Sequence, residues 1–471
     1  MAAVNTSYQF QNPLRVVELF AGVGGFRLGL ERVHGNPFEM VLSNQWEPGK
    51  KVQHASAVYQ ARWQGDVHLN EDIAEVLKSE AGRTAIRKAR PDVVVGGFPC
   101  QDYSVAKPLS QSQGIEGKKG VLWWSIAELL RQRIADGEPV KYLVLENVDR
   151  LISSPAVCRG RDFAMVLSTL YGMGYAVEWR VVNAADYGFP QRRRRVFIVA
   201  YHVTTGIAER AASRVREGGA TWFNQSVLSR AFPAALVNEL DASVPALSLR
   251  DEPFSEQLTY RPLSNGKSWF ANSGIMVAGK VWTGAAKATA IDDFSAFTGS
   301  VCPLTLGDVV RKTGPVPTAF YLREGDKPKW LAAKAAKRVP RVKNGFAYEY
   351  AEGAMAFPDP LDRPSRTIIT SEGGSTASRT KHAVREASGL VRRLTPEELE
   401  ELNGFPRGFT DCAGASDSTR AMLMGNALVV GLVTRIGEAL YHAHVKSLRV
   451  TSTSGASPRA TARALLARAR G

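Results

Sequence analysis

The feature that most constrains this chain is the rhythm of its first 200 residues. Short, almost uninterrupted apolar runs recur there: VVELF (16–20), MVLSN (40–44), DVVVGG (92–97), YLVLEN (142–147), EWRVVNA (178–184) and VFIVAY (196–201). Amphipathic stretches such as FRLGLERV (26–33) and LWWSIAELLRQRIA (122–135) separate several of them. Strands apolar on both faces belong in a sheet covered by helices on both sides. The pattern therefore predicts an α/β fold: a doubly wound, mostly parallel, Rossmann-like sheet.

That rhythm stops near residue 245. Residues 246–360 are richer in Gly, Ser, Thr and Pro and have no βαβ repeat. A second, smaller and irregular domain is expected there, with the catalytic unit at 1–245 and a return to it at 361–445. TPEELEELNGFP (395–406) carries Thr395, Pro396 and Glu398, the cap, first-position proline and capping-box acid of a helix start. A final helix is expected through AMLMGNALVVGLVTRIGEALYHAHV. Residues 446–471 hold Lys446, five arginines and no acid, which reads as a basic flexible tail.

The chain has a net charge of +15 over 471 residues. Residues 305–345 hold ten Lys or Arg against Asp308, Glu324 and Asp326, with Tyr321 and Trp330 among them. Such an excess suits a polyanion, most simply nucleic acid, although a lysine-rich stretch is also an ordinary solvated surface. No apolar run reaches the ~18 residues of a membrane span. The N-terminal stretch lacks the basic start and apolar core of a secretory signal, so cytoplasmic residence is expected. Cys100, Cys158, Cys302 and Cys412 show no CxxC spacing, so no metal is expected.

Polar groups cluster where the strands end. FAGVGGF (20–26) joins the first strand to a helix, and its glycines permit a tight turn and close approach of a ligand. Its spacing is not the six-residue dinucleotide fingerprint, so the loop alone also fits a plain turn. SNQWEP (43–48) places Gln45, Trp46 and Glu47 at the second strand's end, where a base can be stacked and a sugar bonded. Pro99 and Cys100 end GGFPC. A thiol there can act as a nucleophile, although a lone cysteine is more often a small buried hydrophobe. Glu146 ends YLVLEN, and QRRRR (191–195) precedes VFIVAY.

Taken in order, these segments resemble the DNA (cytosine-5) methyltransferases of bacterial restriction–modification systems, from Val16 to about Val445. ELFAGVGGF, GGFPCQDYS, LENV, NAADYGFPQRRRRVF, RPSRTI (363–368) and GNALVV (425–430) resemble six of the family's motifs in the family's order. The resemblance implies catalysis by Cys100, Glu146, Arg193 and Arg195, with Arg193 helping to hold the site. It implies S-adenosylmethionine, with S-adenosylhomocysteine as product, bound by Phe20, Gly22, Gly24, Gly25, Gln45, Trp46, Glu47, Asp72, Ile73, Pro99, Leu122, Asn426 and Leu428. Asp66 is a second candidate for the place given to Asp72. Where the family usually has Glu before the tryptophan this chain has Gln45, which leaves open whether Gln45 or Glu47 holds the ribose.

Residues 246–360 then read as a target-recognition domain for double-stranded DNA. A separately acting restriction endonuclease is an expected companion, and a monomer is the simplest assembly. The competing readings are a tRNA cytosine-5 methyltransferase of the same fold, a DNA-binding protein with a silent site, and a nicotinamide-dependent dehydrogenase. The long insert argues against the first, the catalytic residues against the second, and the missing fingerprint against the third.

Overall fold

The computed structural model describes residues 13–98, 121–156, 158–217, 219–237, 245–249, 260–343, 346–412 and 414–454. Its centre is a ten-stranded sheet in the order β3-β2-β1-β4-β5-β7-β6-β10-β11-β9. The strands are β1 (Leu14–Leu19), β2 (Phe38–Asn44), β3 (His68–Leu69), β4 (Val93–Gly97), β5 (Tyr142–Val148), β6 (Tyr175–Asn183), β7 (Arg194–His202), β8 (Ala234–Leu236), β9 (Leu247–Ser248), β10 (Ser273–Val277) and β11 (Lys280–Gly284). β8 lies outside that sheet and pairs with β12 (Ala286–Ala288).

β1 to β5 are parallel, as continuous apolar runs require when both faces are covered. β4 shows the alternation directly. Val94 packs into one layer with Val17, Leu143 and Leu145, whereas Val93 and Val95 pack into the other with Val16, Tyr142 and Val144. β7 runs antiparallel to both β5 and β6. Residues 184–193 link β6 to β7 and are too few for the crossover helix that a parallel pair demands.

The insert departs from expectation. β10 pairs antiparallel with β6, β11 with β10 and β9 with β11, so that these strands extend the catalytic sheet. Later in the chain come a separate two-stranded ribbon, β13 (Lys337–Lys343) with β14 (Phe346–Glu352), and a short pair, β15 (Ala383–Arg385) with β16 (Val391–Arg393).

The capping box at Thr395 and Glu398 is present and opens helix Pro396–Leu402. The expected final helix is broken. Helix Asp417–Asn426 ends where Ala427 turns extended, and helix Val430–Ser454 begins three residues later. Near that end, Gly425 lets segment 369–370 pass close by: a Cβ there would come within 2.4 Å of the Ile369 and Thr370 backbone. The last helix also runs past the expected tail boundary at 446. Stretch 417–448 is long and apolar enough to cross a membrane, yet its window is 67% buried within the protein, as in a core helix.

Candidate active site

β1 delivers the glycine loop. Phe20, Gly22 and Gly24 all have positive φ, at 56°, 55° and 89°. For Phe20 this is a strained conformation, costing on the order of 1 kcal/mol, which the surrounding structure must hold. Each glycine has its own reason. A Cβ on Gly24 would lie 2.3 Å from the Trp63 ring, whereas one on Gly22 would meet nothing within 4 Å. The Gly22 side of the loop is thus open, the shape that a ligand passing close to backbone needs.

Hydrogen bonds lace the β1 and β2 tips together. The Ala21 N–H donates to Asn44 O at 3.0 Å, and the Gly22 N–H to Gln45 Oε1 at 2.8 Å. Gln45 is nearly buried, while the next residue, Trp46, keeps an exposed indole (39%). Asn44 Nδ2 donates to Leu69 O and Glu71 O, and Asn70 Nδ2 to Gln45 O, which draws segment 69–72 onto the same tip. There Asp72 Oδ1 accepts from Ala74 N and caps helix Ile73–Lys78, with Ile73 buried beneath. Asp66 is instead paired with Arg27 at 2.6 Å. Glu47 is half-buried, and its backbone is held by Gln53.

A buried acid lies beneath the loop. Glu18 is fully enclosed in β1, accepts from Tyr59 Oη at 3.1 Å, and leaves Oε1 without a partner. Burial raises its carboxyl pKa to about 8, so it carries a proton at neutral pH. His68 stacks on Tyr59, lies between Ser43 and Ser56, and is pushed down to about 4 by burial. Glu18 and His68 are therefore both uncharged beneath the loop at neutral pH.

β4 and β5 build the reactive edge. Glu146 pairs with Gly97 across the parallel register, and a Cβ at Gly97 would sit 3.1 Å from Glu146 Oε2. Gly97 thus leaves room for the carboxylate. On the other side Val148 pairs with Arg195, so Glu146 and Arg195 share a face one diagonal apart. Their side chains meet at 2.7 Å between Nε and Oε1, each mostly shielded from solvent. Asn147, which sequence reasoning missed, is buried and donates to Phe98 O at 3.2 Å. It ties the end of β5 to the exit of β4. Pro99 and Cys100 come immediately after and lie outside the described residues.

Arg193 behaves unlike Arg195. It is buried, and its guanidinium donates to Ile368 O at 2.9 Å and Gly425 O at 3.0 Å. Burial, then the neighbouring Arg195 charge, lower its pKa well below that of a free arginine. Gln191 works beside it, donating to Leu402 O and Asn403 Oδ1 and accepting from Ile368 N. The two side chains clamp RPSRTI and the C-terminal helices onto the approach to β7. Arg193 thus makes its contacts with the backbone of the two segments it joins. The clamp also sets Leu428, which packs 3.1 Å from the Gly25 Cβ position, while Asn426 stays exposed. Leu122 packs against the same core layer as Phe20. Among the described residues no group of His, Cys, Asp and Glu is placed to hold a metal ion.

A strand order of 3-2-1-4-5-7-6 with an antiparallel β7, a glycine loop at β1 and an acid–arginine pair at the sheet's centre make up a Rossmann-like methyltransferase fold. The model of the C-5 cytosine-specific DNA methylase family matches residues 14–238 and 320–442. Type II methyltransferase M.Sau3AI of Staphylococcus aureus is 41% identical over 437 residues, covering 91% of this chain and 96% of that protein. Type II methyltransferase M.HhaI of Haemophilus parahaemolyticus is 32% identical over 190 residues, 40% of this chain and 49% of its own length. The solved Entamoeba histolytica methyltransferase EhMeth has the same fold at a TM-score of 0.53 and 15% identity, covering 92% of this chain and 99% of that one. This chain belongs to the C-5 cytosine-specific DNA methylase family. Its activity is DNA cytosine-5 methylation, as a sequence-specific methyltransferase of the restriction–modification type.

Proposed function

We propose that the chain methylates C5 of a cytosine extruded from a specific double-stranded DNA site, with S-adenosylmethionine as donor and Cys100 as covalent nucleophile. The observation that carries this reading is the Glu146–Arg195 pair, set one strand from the exit of β4 toward Cys100. Cytosine C5 is weakly nucleophilic and lies inside the duplex. Extruding the base costs roughly a few kcal/mol in pairing and stacking. The Glu146 carboxyl group then bonds N3 and the exocyclic amine, and Arg195 faces O2. The Cys100 thiolate forms a bond to C6, which makes C5 electron-rich enough to take a methyl group. The C5 proton then leaves, the C6–S bond breaks, and the ring regains its aromaticity.

S-adenosylmethionine supplies, when bound, an electrophilic methyl on a sulfonium sulfur. The residues present fit it: an open backbone surface at Gly22, an exposed indole at Trp46 and a neutral floor at Glu18. Phe20, Gly22, Gly24 and Gly25 would line its path, and Trp46 would stack on adenine. Gln45 shapes the loop and would offer its amide N–H groups to the ribose, while Glu47 would offer a carboxylate. Asp72 and Ile73 would meet the adenine edge, and Pro99, Leu122, Asn426 and Leu428 would close the pocket. The enzyme works as a monomer in the cytoplasm and protects DNA from a separate endonuclease.

Covalent trapping tests the reading. Random-sequence duplexes containing 5-fluorocytosine, given with S-adenosylmethionine, should leave a denaturation-resistant protein–DNA adduct with the intact chain and none with Cys100→Ser. No adduct with the intact chain refutes Cys100 as the nucleophile.

A further inference from the structure

A cavity lies at the end of the sheet away from the chemistry. Glu178 on β6 and Tyr201 on β7 line it. Tyr201 stands at the far end of β7 from Arg195, roughly 20 Å along the strand. Helices Gly206–Glu217, Gly219–Gln225, Val227–Ala231 and Val430–Ser454 supply most of the remaining wall. The cavity is about 40 Å³, room for about three waters. That is close to the space of one tetrahedral oxyanion and too little for a base or a sugar.

The wall is cationic. Arg210, Arg214, Arg230 and Lys446 all line the cavity. Arg210 and Arg214 are half-buried and held in place by backbone: Arg210 Nη2 donates to Ala443 O at 2.9 Å, and Arg214 Nη1 to Gln225 O. A guanidinium has five N–H donors, so one carbonyl does not exhaust Arg210. Burial, then the charge of Arg214, lower the Arg210 pKa, and a counter-charge between the two relieves that repulsion. Among the described residues Arg210, Arg230 and Lys446 make no ion pair with a carboxylate.

Glu178, the acid in the wall, is already engaged. It is fully buried and accepts from Tyr201 Oη and from the N–H groups of Val227 at 3.0 Å and Leu228 at 3.3 Å. Burial raises its pKa, which suppresses its negative charge. Trp222 adds an unmet donor: its ring is buried in the wall, and its indole N–H has no acceptor. An unpaired buried N–H is costly, and an oxygen in the cavity would satisfy it. Several cations, an unmet N–H and a suppressed carboxylate around so small a space suit a compact oxyanion.

We propose that this cavity binds a phosphate-sized oxyanion, either free phosphate or the terminal group of a phosphomonoester, held by Arg210, Arg214, Arg230 and Lys446 and by the Trp222 N–H. The bound anion ties helices Gly206–Glu217 and Val227–Ala231 to helix Val430–Ser454 and stiffens the far edge of the sheet. The inference does not depend on the reaction assigned to the catalytic edge.

Calorimetric titration of the full chain tests it, with inorganic phosphate and glycerol 3-phosphate as probes and the ionic strength held constant with chloride. The intact chain should bind one phosphate at millimolar concentration, and its thermal midpoint should rise as phosphate is added. Tighter binding of glycerol 3-phosphate assigns the site to phosphomonoesters, and equal or weaker binding assigns it to free phosphate. Combining Arg230→Gln with Lys446→Gln should raise the phosphate Kd roughly tenfold or more, and Trp222→Phe, which keeps a ring but loses the N–H, about threefold to tenfold. Lys88→Gln, on a helix packed into the other layer of the sheet, should bind phosphate as the intact chain does. S-adenosylmethionine affinity serves as the folding control for every variant. The proposal is overturned if the intact chain binds no phosphate, if the Arg230→Gln, Lys446→Gln protein keeps the intact Kd, or if Lys88→Gln weakens binding as much.

Discussion

Replacing Glu18 with Gln tests whether the floor of the cofactor loop is neutral. The side chain is fully buried, with Tyr59 as the hydroxyl partner and one oxygen orphaned. Burial raises its pKa from 4.5 to about 8. A carboxyl whose folded pKa is raised stabilises the fold below its unfolded pKa, and that contribution is lost as pH climbs through the folded value. Across about 3.5 pH units, at ~1.4 kcal/mol each, the loss is on the order of 5 kcal/mol as an upper bound. Gln keeps the size and cannot ionise. The two proteins should therefore agree within about 1 kcal/mol at pH 5, with the Glu18→Gln variant more stable by several kcal/mol at pH 9. Urea unfolding followed by tryptophan fluorescence at pH 5, 7 and 9 measures the difference. His68 has the opposite sign, losing stability as pH falls from 6.5 toward about 4, but it is common to both proteins and cancels. Parallel stability curves for the two proteins at all three pH values would refute the reasoning.

Gly97→Ala should press on the Glu146 carboxylate, since the added carbon lies 3.1 Å from Oε2; turnover should drop about tenfold or more with S-adenosylmethionine affinity unchanged, and calorimetry beside steady-state kinetics shows the split. Arg193→Met leaves the carbonyls of Ile368 and Gly425 without donors; a loss of roughly 2–6 kcal/mol in urea unfolding is expected, at ~1–3 kcal/mol for each unsatisfied group. Gln45→Ala frees the Gly22 N–H and should raise the S-adenosylmethionine Kd by about tenfold, whereas an unchanged Kd would remove Gln45 from the binding account.

The central strands were legible because strands covered on both faces have no polar face to break the apolar run, as Val93–Val95 shows. The site positions were legible for a related reason: ligands meet such sheets at strand ends, so Gln45, Trp46 and Glu146 stood out as polar groups closing apolar runs. The insert was harder to read. β9 has two residues, β10 and β11 five each, and sheet-edge strands this short leave little periodicity. The ribbon does carry a signal in the sequence, Asn344-Gly345 between two strand-like runs, a frequent hairpin dipeptide. The break before helix Val430–Ser454 was hidden because the apolar periodicity runs on through it, with Leu428, Val429 and Val430 all buried. The burial of Arg193 was hidden likewise, since QRRRR reads as a solvated turn until its carbonyl partners, far along the chain, are known.

Covalent catalysis by Cys100 is the central claim, and one comparison tests it most directly. Plasmid DNA from cells expressing the intact chain or Cys100→Ser is sequenced after bisulfite treatment. The account predicts protected cytosines in one short sequence with the intact chain and none with the variant. Equal protection by both proteins would contradict it.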